Sequence, residues 1–271
     1  MPHVLVCTPS YGEQLATVYV NSVLQLREHL LRQKPQIPND MYFFGYAAVA
    51  YARNVFASRM LEHAKYTHLL MIDSDMGFPP DIVVQMLAFD KPICGAIYPK
   101  RMIDLDRMIT AARQMPEDTA ENRRRAVASS YDFVGERYLK SKGSGARRQI
   151  DLQQGFIRAD ACGAGVMLIK RHVLEEMRAR FPELMSSSIP PAMTGLKQPL
   201  FQPFNDYVES GVTLSEDFSF CRRWTKDLGG ELWVHAASEI SHHGSLTHTA
   251  KFMDKLMAMA ATNRATTEKA G

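Results

Sequence analysis

Leu69 to Pro80 reads LLMIDSDMGFPP. A run of large apolar residues is followed at once by Asp73 and Asp75, one residue apart. Asp is a poor strand former and is costly to bury without a partner, so the pair marks the end of a buried strand. Its chemistry allows two readings. In one, an Asx-type turn caps a helix whose first turn holds Pro79 and Pro80. In the other, both carboxylates converge, directly or through water, on a hard divalent cation, with phosphate oxygens completing its shell.

The flanking segments repeat a strand-then-helix order. HVLVCTPSYG (3–12) reads as a buried strand ending in a loop, and Leu15, Val18, Tyr19, Val23, Leu26 and Leu30 form a helical stripe behind it. DMYFF (40–44) gives a second strand and the stretch from Val49 to Leu61 a second helix. THLLMI (67–72) is the third strand, FPPDIVVQML (78–87) opens the third helix, and KPICGAI (91–97) is the fourth strand. This alternation predicts an α/β domain with a mostly parallel sheet, helices on both faces, and a ligand site at the carboxyl ends of the strands. Asp73 and Asp75 then share that edge with the loop TPSYG. The pattern fades from 102 to 149. It resumes in GFIRADACGAGVMLIKRHVLEEMRARF (155–181) as a strand-like start, a glycine turn and an amphipathic helix. ELWVH and SEIS then read as short strands, and a last helix runs around Phe252, Leu256 and Met259. One domain over 1–271 is expected, with 101–150 as a basic inserted loop.

With 271 residues, 46% of them hydrophobic, the chain can fill one substantial core. A formal charge of +3 makes no case for nucleic-acid binding. Between Lys100 and Ile150, however, twelve Lys and Arg stand against seven Asp and Glu. That insertion leaves directly after the fourth strand at YPKR, so a lid or acceptor contact is expected of it, with Lys140, Lys142, Arg147 and Arg148 facing an anion. Cys7, Cys94, Cys162 and Cys221 are scattered without CxxC spacing and read as reduced core thiols. MPHVLVCTPSYG turns polar too early for a signal peptide, and no apolar run is long enough to cross a bilayer. A soluble, cytoplasmic protein is expected, with peripheral membrane contact left open.

Two further constellations carry chemistry. In Leu214-Ser215-Glu216-Asp217, Ser215 suits an N-cap and the acids suit a first helical turn. Yet Asp217 shares its helical face with Cys221, Trp224 and Leu228, the apolar one, which turns it inward where its pKa is open to tuning. Such a carboxylate can act as a general base. His242 and His243 are adjacent and point to different sides of an extended segment, so one of them at most faces the Asp pair; a zinc site with His248 is the weaker alternative.

The ordered set PSYG, ARN, IDSDM, CGAG, SEDFSFCRRW and HHG resembles glycosyltransferases of the GT-A nucleotide-sugar-binding fold, family-2-like, of the small soluble bacterial and viral type. The resemblance covers most of the chain outside the basic insertion. It implies a Rossmann-like sheet and a metal bridging the donor's diphosphate, with Asp75 as direct ligand, Asp73 reaching the ribose or the metal, and His242 completing the shell. Mixed carboxylate, phosphate and imidazole ligation tilts the choice toward Mn²⁺ over Mg²⁺. Asp217, beside Glu216, corresponds to the base of inverting members. Thr8, Pro9, Ser10, Tyr11 and Arg53 correspond to nucleotide contacts, and Gly163, Ala164 and Gly165 to the sugar and acceptor side. The implied partners are a nucleotide-sugar donor, UDP-sugars favoured, and a glycan or other hydroxyl acceptor. The QxxRW motif and membrane helices of processive synthases are missing. Two alternatives stay open: a haloacid-dehalogenase-like phosphatase, in which the first Asp is the nucleophile, and a non-catalytic nucleotide-sugar-binding module.

Overall fold

The computed structural model describes residues 1–142, 149–245 and 248–268. Strand β1 (Val4–Pro9) buries five successive residues, Val4 to Thr8, as a strand covered on both faces must. Helix α1 (Thr17–Arg32) buries Tyr19, Val23, Leu26 and Leu30 along one stripe. Strand β2 (Asn39–Phe44) follows, then helix α2 (Val49–Glu62), strand β3 (His68–Ile72), the two-residue strand β4 (Met76–Gly77), helix α3 (Asp81–Phe89) and strand β5 (Ile93–Ala96). After the insertion come β11 (Phe156–Ala159), β12 (Val166–Lys170), helix α6 (Arg171–Arg180), the hairpin β13 (Tyr207–Glu209) and β14 (Val212–Leu214), and helix α7 (Glu216–Arg222). Strands β15 (Leu232–His235), β16 (Glu239–His242) and β17 (His248–Lys251) lead into helix α8 (Phe252–Glu268).

Eight strands form the main sheet, in the order β10-β11-β15-β5-β12-β3-β1-β2, where β10 is Leu152–Gln153. Six run one way; β11 and β12 run against them. The expected α/β class, with a sheet mostly of one direction and helices on both faces, is what the chain forms. The reversal at the centre is new. VMLIK, taken in the sequence as part of a turn leading to a helix, is β12, wedged antiparallel between β3 and β5 with Val166 opposite Ile72 and Met167 opposite Gly95. Alternate residues feed two cores: Leu5, Cys7, Leu69 and Met71 pack with α2, α6 and α7, while Val4, Val6, Leu70 and Ile72 pack with α1 and α3. All four cysteines are free and buried.

Among its described residues, segment 101–150 is more than a loop. It holds β6 (Pro99–Ile103), helix α4 (Leu105–Gln114), helix α5 (Ala120–Ser129), β7 (Tyr131–Phe133) and the short pair β8 (Ser141–Lys142) and β9 (Gln149–Ile150). Asp104 and Thr119 cap the two helices through their side chains, bonding the amides of Arg107 and Asn122. These helices left a weak trace in the sequence because α4 buries nothing and α5 buries only Ala126, Ala128 and Ser129. The basic residues Arg147 and Arg148 lie outside the described residues. A half-buried ion pair ties the insertion to α8: Lys255 Nζ donates to Glu136 Oε2 at 2.7 Å and to the Tyr131 carbonyl at 3.0 Å. Among the described residues no helix is long and apolar enough to cross a membrane.

Candidate functional site

The Asp pair sits where β3 ends at the carboxyl edge of the sheet. The amide of Asp73 donates to the Gly165 carbonyl (3.0 Å) and that of Met76 to the Asp73 carbonyl (3.1 Å), closing a tight turn into β4. Helix α3 begins only at Asp81 and no side chain caps it, so the Asx-cap reading of the pair does not describe the turn. Antiparallel pairing of β4 with β16 sets Met76 opposite His242 and Ser241 opposite Gly77. That register brings His242 Nε2 to 3.5 Å from Asp75 Oδ2. The His242 Nδ1 lies 2.9 Å from the Pro99 carbonyl. A carbonyl only accepts, so Nδ1 carries a hydrogen that fixes the ring and leaves Nε2 directed at Asp75, the orientation usual in metal-binding imidazoles. His243 instead lends its backbone: its amide donates to the Asp75 carbonyl at 2.8 Å.

Arg53 on α2 is 3% exposed and organises the acids behind this pair. Its Nη2 donates to both Asp73 oxygens, at 2.9 and 3.2 Å, and its Nε donates to Glu216 Oε1 at 3.3 Å. Its Nη1 also points to the Ala164 carbonyl at 3.5 Å. Burial opposes the charge on Arg53, but Asp73, Glu216 and Asp217 together hold its pKa above the ordinary value. Burial pushes Asp73 up, Arg53 pulls it back, and Asp75 and Glu216 add to the rise. Asp75 is held below the usual carboxylate range: burial raises it, but the His242 bond, the charge of His242 and Arg101 outweigh that.

Ser215 occupies the N-cap position of α7 without capping it. Its hydroxyl donates to Asp217 Oδ1, which also accepts from the Phe218 amide at 2.8 Å. Asp217 is half-buried and near enough to Arg53 and Tyr98 to shift both. The glycine turn is explained by Tyr98, whose phenol accepts from the Gly165 amide at 3.3 Å and whose ring meets His242 edge-on at 5.3 Å. A Cβ at Gly163 would lie 2.2 Å from the Tyr98 hydroxyl, and one at Gly165 would lie 2.7 Å from its Cζ. Gly163, Ala164 and Gly165 are all buried, so they serve as a floor under Tyr98.

Among the residues assigned to the nucleotide, Thr8 is buried with its hydroxyl 2.6 Å from Tyr19, and Ser10 is buried at the strand end. Pro9 is half-buried and Tyr11 is 71% exposed. Arg53 has its donors turned to protein acceptors. The structure thus brings together Arg53, Asp73, Asp75, Ala164, Glu216, Asp217 and His242. Two residues at this place escaped the sequence reading: Tyr98 and Arg101. The YPKR motif that holds both was noted only as the root of the insertion.

Among the described residues no group of three or more metal-binding side chains occurs. Asp75 and His242 are the two protein ligands on offer, and a carboxylate with an imidazole fits a cation that draws its remaining ligands from phosphate and water.

No family model matches the chain, and no curated protein matches it. Among solved structures it is similar to A197 from STIV, with a TM-score of 0.45 at 12% identity over 90% of this chain and 86% of that one. GalNAc-T7, solved with UDP, GalNAc and Mn²⁺, gives a TM-score of 0.43 at 15% identity over 89% of this chain and 43% of that one. The inositol-1-phosphate CTP transferase from T. maritima gives 0.39 at 10% identity over 97% and 96% of the two chains. At such scores the likeness is one of chain path and says nothing of chemistry.

Proposed function

We propose that the chain is a metal-dependent glycosyltransferase, moving a sugar from a nucleoside-diphosphate donor, UDP-sugars favoured, to the hydroxyl of a glycan or similar acceptor. The single observation that carries this reading is the Asp75–His242 pair, its imidazole oriented by the Pro99 carbonyl, at the carboxyl edge of an α/β sheet. Asp75 and His242 would hold Mn²⁺ or Mg²⁺, which when bound offsets the charge that builds on the departing diphosphate. Arg53 keeps Asp73 and Glu216 tied down, so Asp217 is the carboxylate left to accept the acceptor's proton as base in an inverting transfer. The phosphatase alternative asks Asp73 to attack phosphorus, and both of its oxygens are engaged by Arg53. We place the enzyme in the cytoplasm, with at most peripheral membrane contact.

The test is incubation with a panel of nucleotide sugars and Mn²⁺, with and without acceptor hydroxyls. Release of nucleoside diphosphate, lost in Asp75→Ala, is expected. Free phosphate from phosphomonoesters would establish the phosphatase instead, and metal-dependent binding without any turnover would reduce the chain to a binding module.

A further inference from the structure

Arg101 contacts the metal-binding pair without being part of it. It lies on β6, two residues after Pro99, whose carbonyl orients His242. Its Nη1 donates to Asp75 Oδ2 at 3.2 Å and to the His243 carbonyl at 3.3 Å. Asp75 Oδ2 is also the atom facing His242 Nε2. A cation held between Asp75 and His242 draws on that same oxygen. The guanidinium and the metal therefore contend for one acceptor, and as like charges they repel.

The two arginines of the site differ in freedom. Arg53 is buried and engaged by several acceptors at once, so it cannot leave. Arg101 has a side chain 52% exposed and, among the described residues, one carboxylate partner. An ion pair this open is weak, and its arginine can be drawn away by a stronger anion. A diphosphate is such an anion, since the planar guanidinium matches two phosphate oxygens at once.

We propose that Arg101 couples metal binding to diphosphate binding: it competes with the metal for Asp75, and a bound diphosphate relieves the competition by taking the guanidinium as its own ligand. Metal alone is then held weakly, and metal with nucleotide is held well. This inference rests on the transferase reading of the same site, because it requires Asp75 to be a metal ligand and a diphosphate to lie beside it.

The experiment is calorimetric titration of the full chain with Mn²⁺ alone, and with Mn²⁺ in the presence of saturating UDP, for wild type, Arg101→Ala, Arg101→Lys and Asp75→Ala. Removing Arg101 removes a competing and repelling cation, so Arg101→Ala binds Mn²⁺ alone about two- to fivefold more tightly, the scale of a half-exposed charge pair. The same variant binds UDP with Mn²⁺ more weakly, so the gain in metal affinity caused by UDP shrinks. Arg101→Lys keeps the charge without the fork and falls between the two. If Arg101→Ala leaves binding of Mn²⁺ alone unchanged, weaker or still undetectable, while Asp75→Ala abolishes Mn²⁺ binding in the presence of UDP, the coupling role is overturned and the metal site stands. If no form binds Mn²⁺ with or without UDP, both the coupling and the transferase reading fall.

Discussion

Replacing Arg53 with Met removes the one buried cation among Asp73, Glu216 and Asp217 while keeping most of the side chain's volume. Three charge-assisted hydrogen bonds go with it, two to Asp73 and one to Glu216. Loss of one partner from a buried ion pair costs about 3–5 kcal/mol, because the other charge stays behind uncompensated. Here the carboxylates keep some water, with side chains 26% and 19% exposed, so the lower end, about 3 kcal/mol, is expected. For a domain of this size that corresponds to a fall in Tm of about 6–12 °C.

The pH dependence makes the expectation specific. Burial already holds the folded-state pKa of Asp73 above its ordinary value, and without the opposing Arg53 charge it rises further. Protonation of Asp73 then favours the folded variant, so the deficit relative to wild type is largest at pH 7 and shrinks as pH falls through that raised value. Urea denaturation of wild type and Arg53→Met at pH 7 and pH 5 measures both effects. Adding Asp73→Asn to Arg53→Met should restore part of the loss at pH 7, since the partner left uncompensated is gone. A deficit below about 1 kcal/mol that is the same at both pH values would refute the reasoning and make this an ordinary solvated pair.

Asp217→Asn keeps the size of the side chain but cannot take a proton, so sugar transfer should fall by about 10²–10⁴ with donor binding intact; near-normal transfer returns Asp217 to a structural role. Gly163→Ala drives a methyl into the Tyr98 hydroxyl and Val134, and should cost about 1–3 kcal/mol in chemical denaturation, less in a Tyr98→Phe background. Burial holds His235 and His68 at about 4 against an ordinary 6.5, so between those values the unfolded chain takes up protons that the folded one refuses. Stability should fall with acid over that window by up to about 1.4 kcal/mol per pH unit for each, and His235→Gln should remove one proton's share of the slope.

What the sequence made legible is what local pattern determines. A fully apolar strand such as LLMI and a stripe such as Tyr19, Val23, Leu26 and Leu30 announce their burial in one window, and so the α/β alternation through the fourth strand could be read directly. The capped helices α4 and α5 could not, because they bury too little for an apolar period to show. β12 was hidden for the opposite reason: VMLIK is apolar throughout, and nothing local says that it runs against its neighbours.

The site divides along the same line. Two aspartates behind a strand are a local signal, whereas the meeting of Asp75 with His242 depends on two residues of β4 pairing with a strand far along the chain. Arg53 shows the limit most plainly. In the sequence it is the arginine of ARN in the second helix, for which the resemblance to GT-A transferases implies a contact to the nucleotide. In the fold, Asp73 from the end of β3 and Glu216 from the start of α7 arrive at the same guanidinium, and the cost of burying all three charges is offset only because they meet. A residue that looks free to bind substrate is thereby committed to holding two acids in place. The exposed Arg101, which carried no such suggestion, is the arginine with the freedom to move.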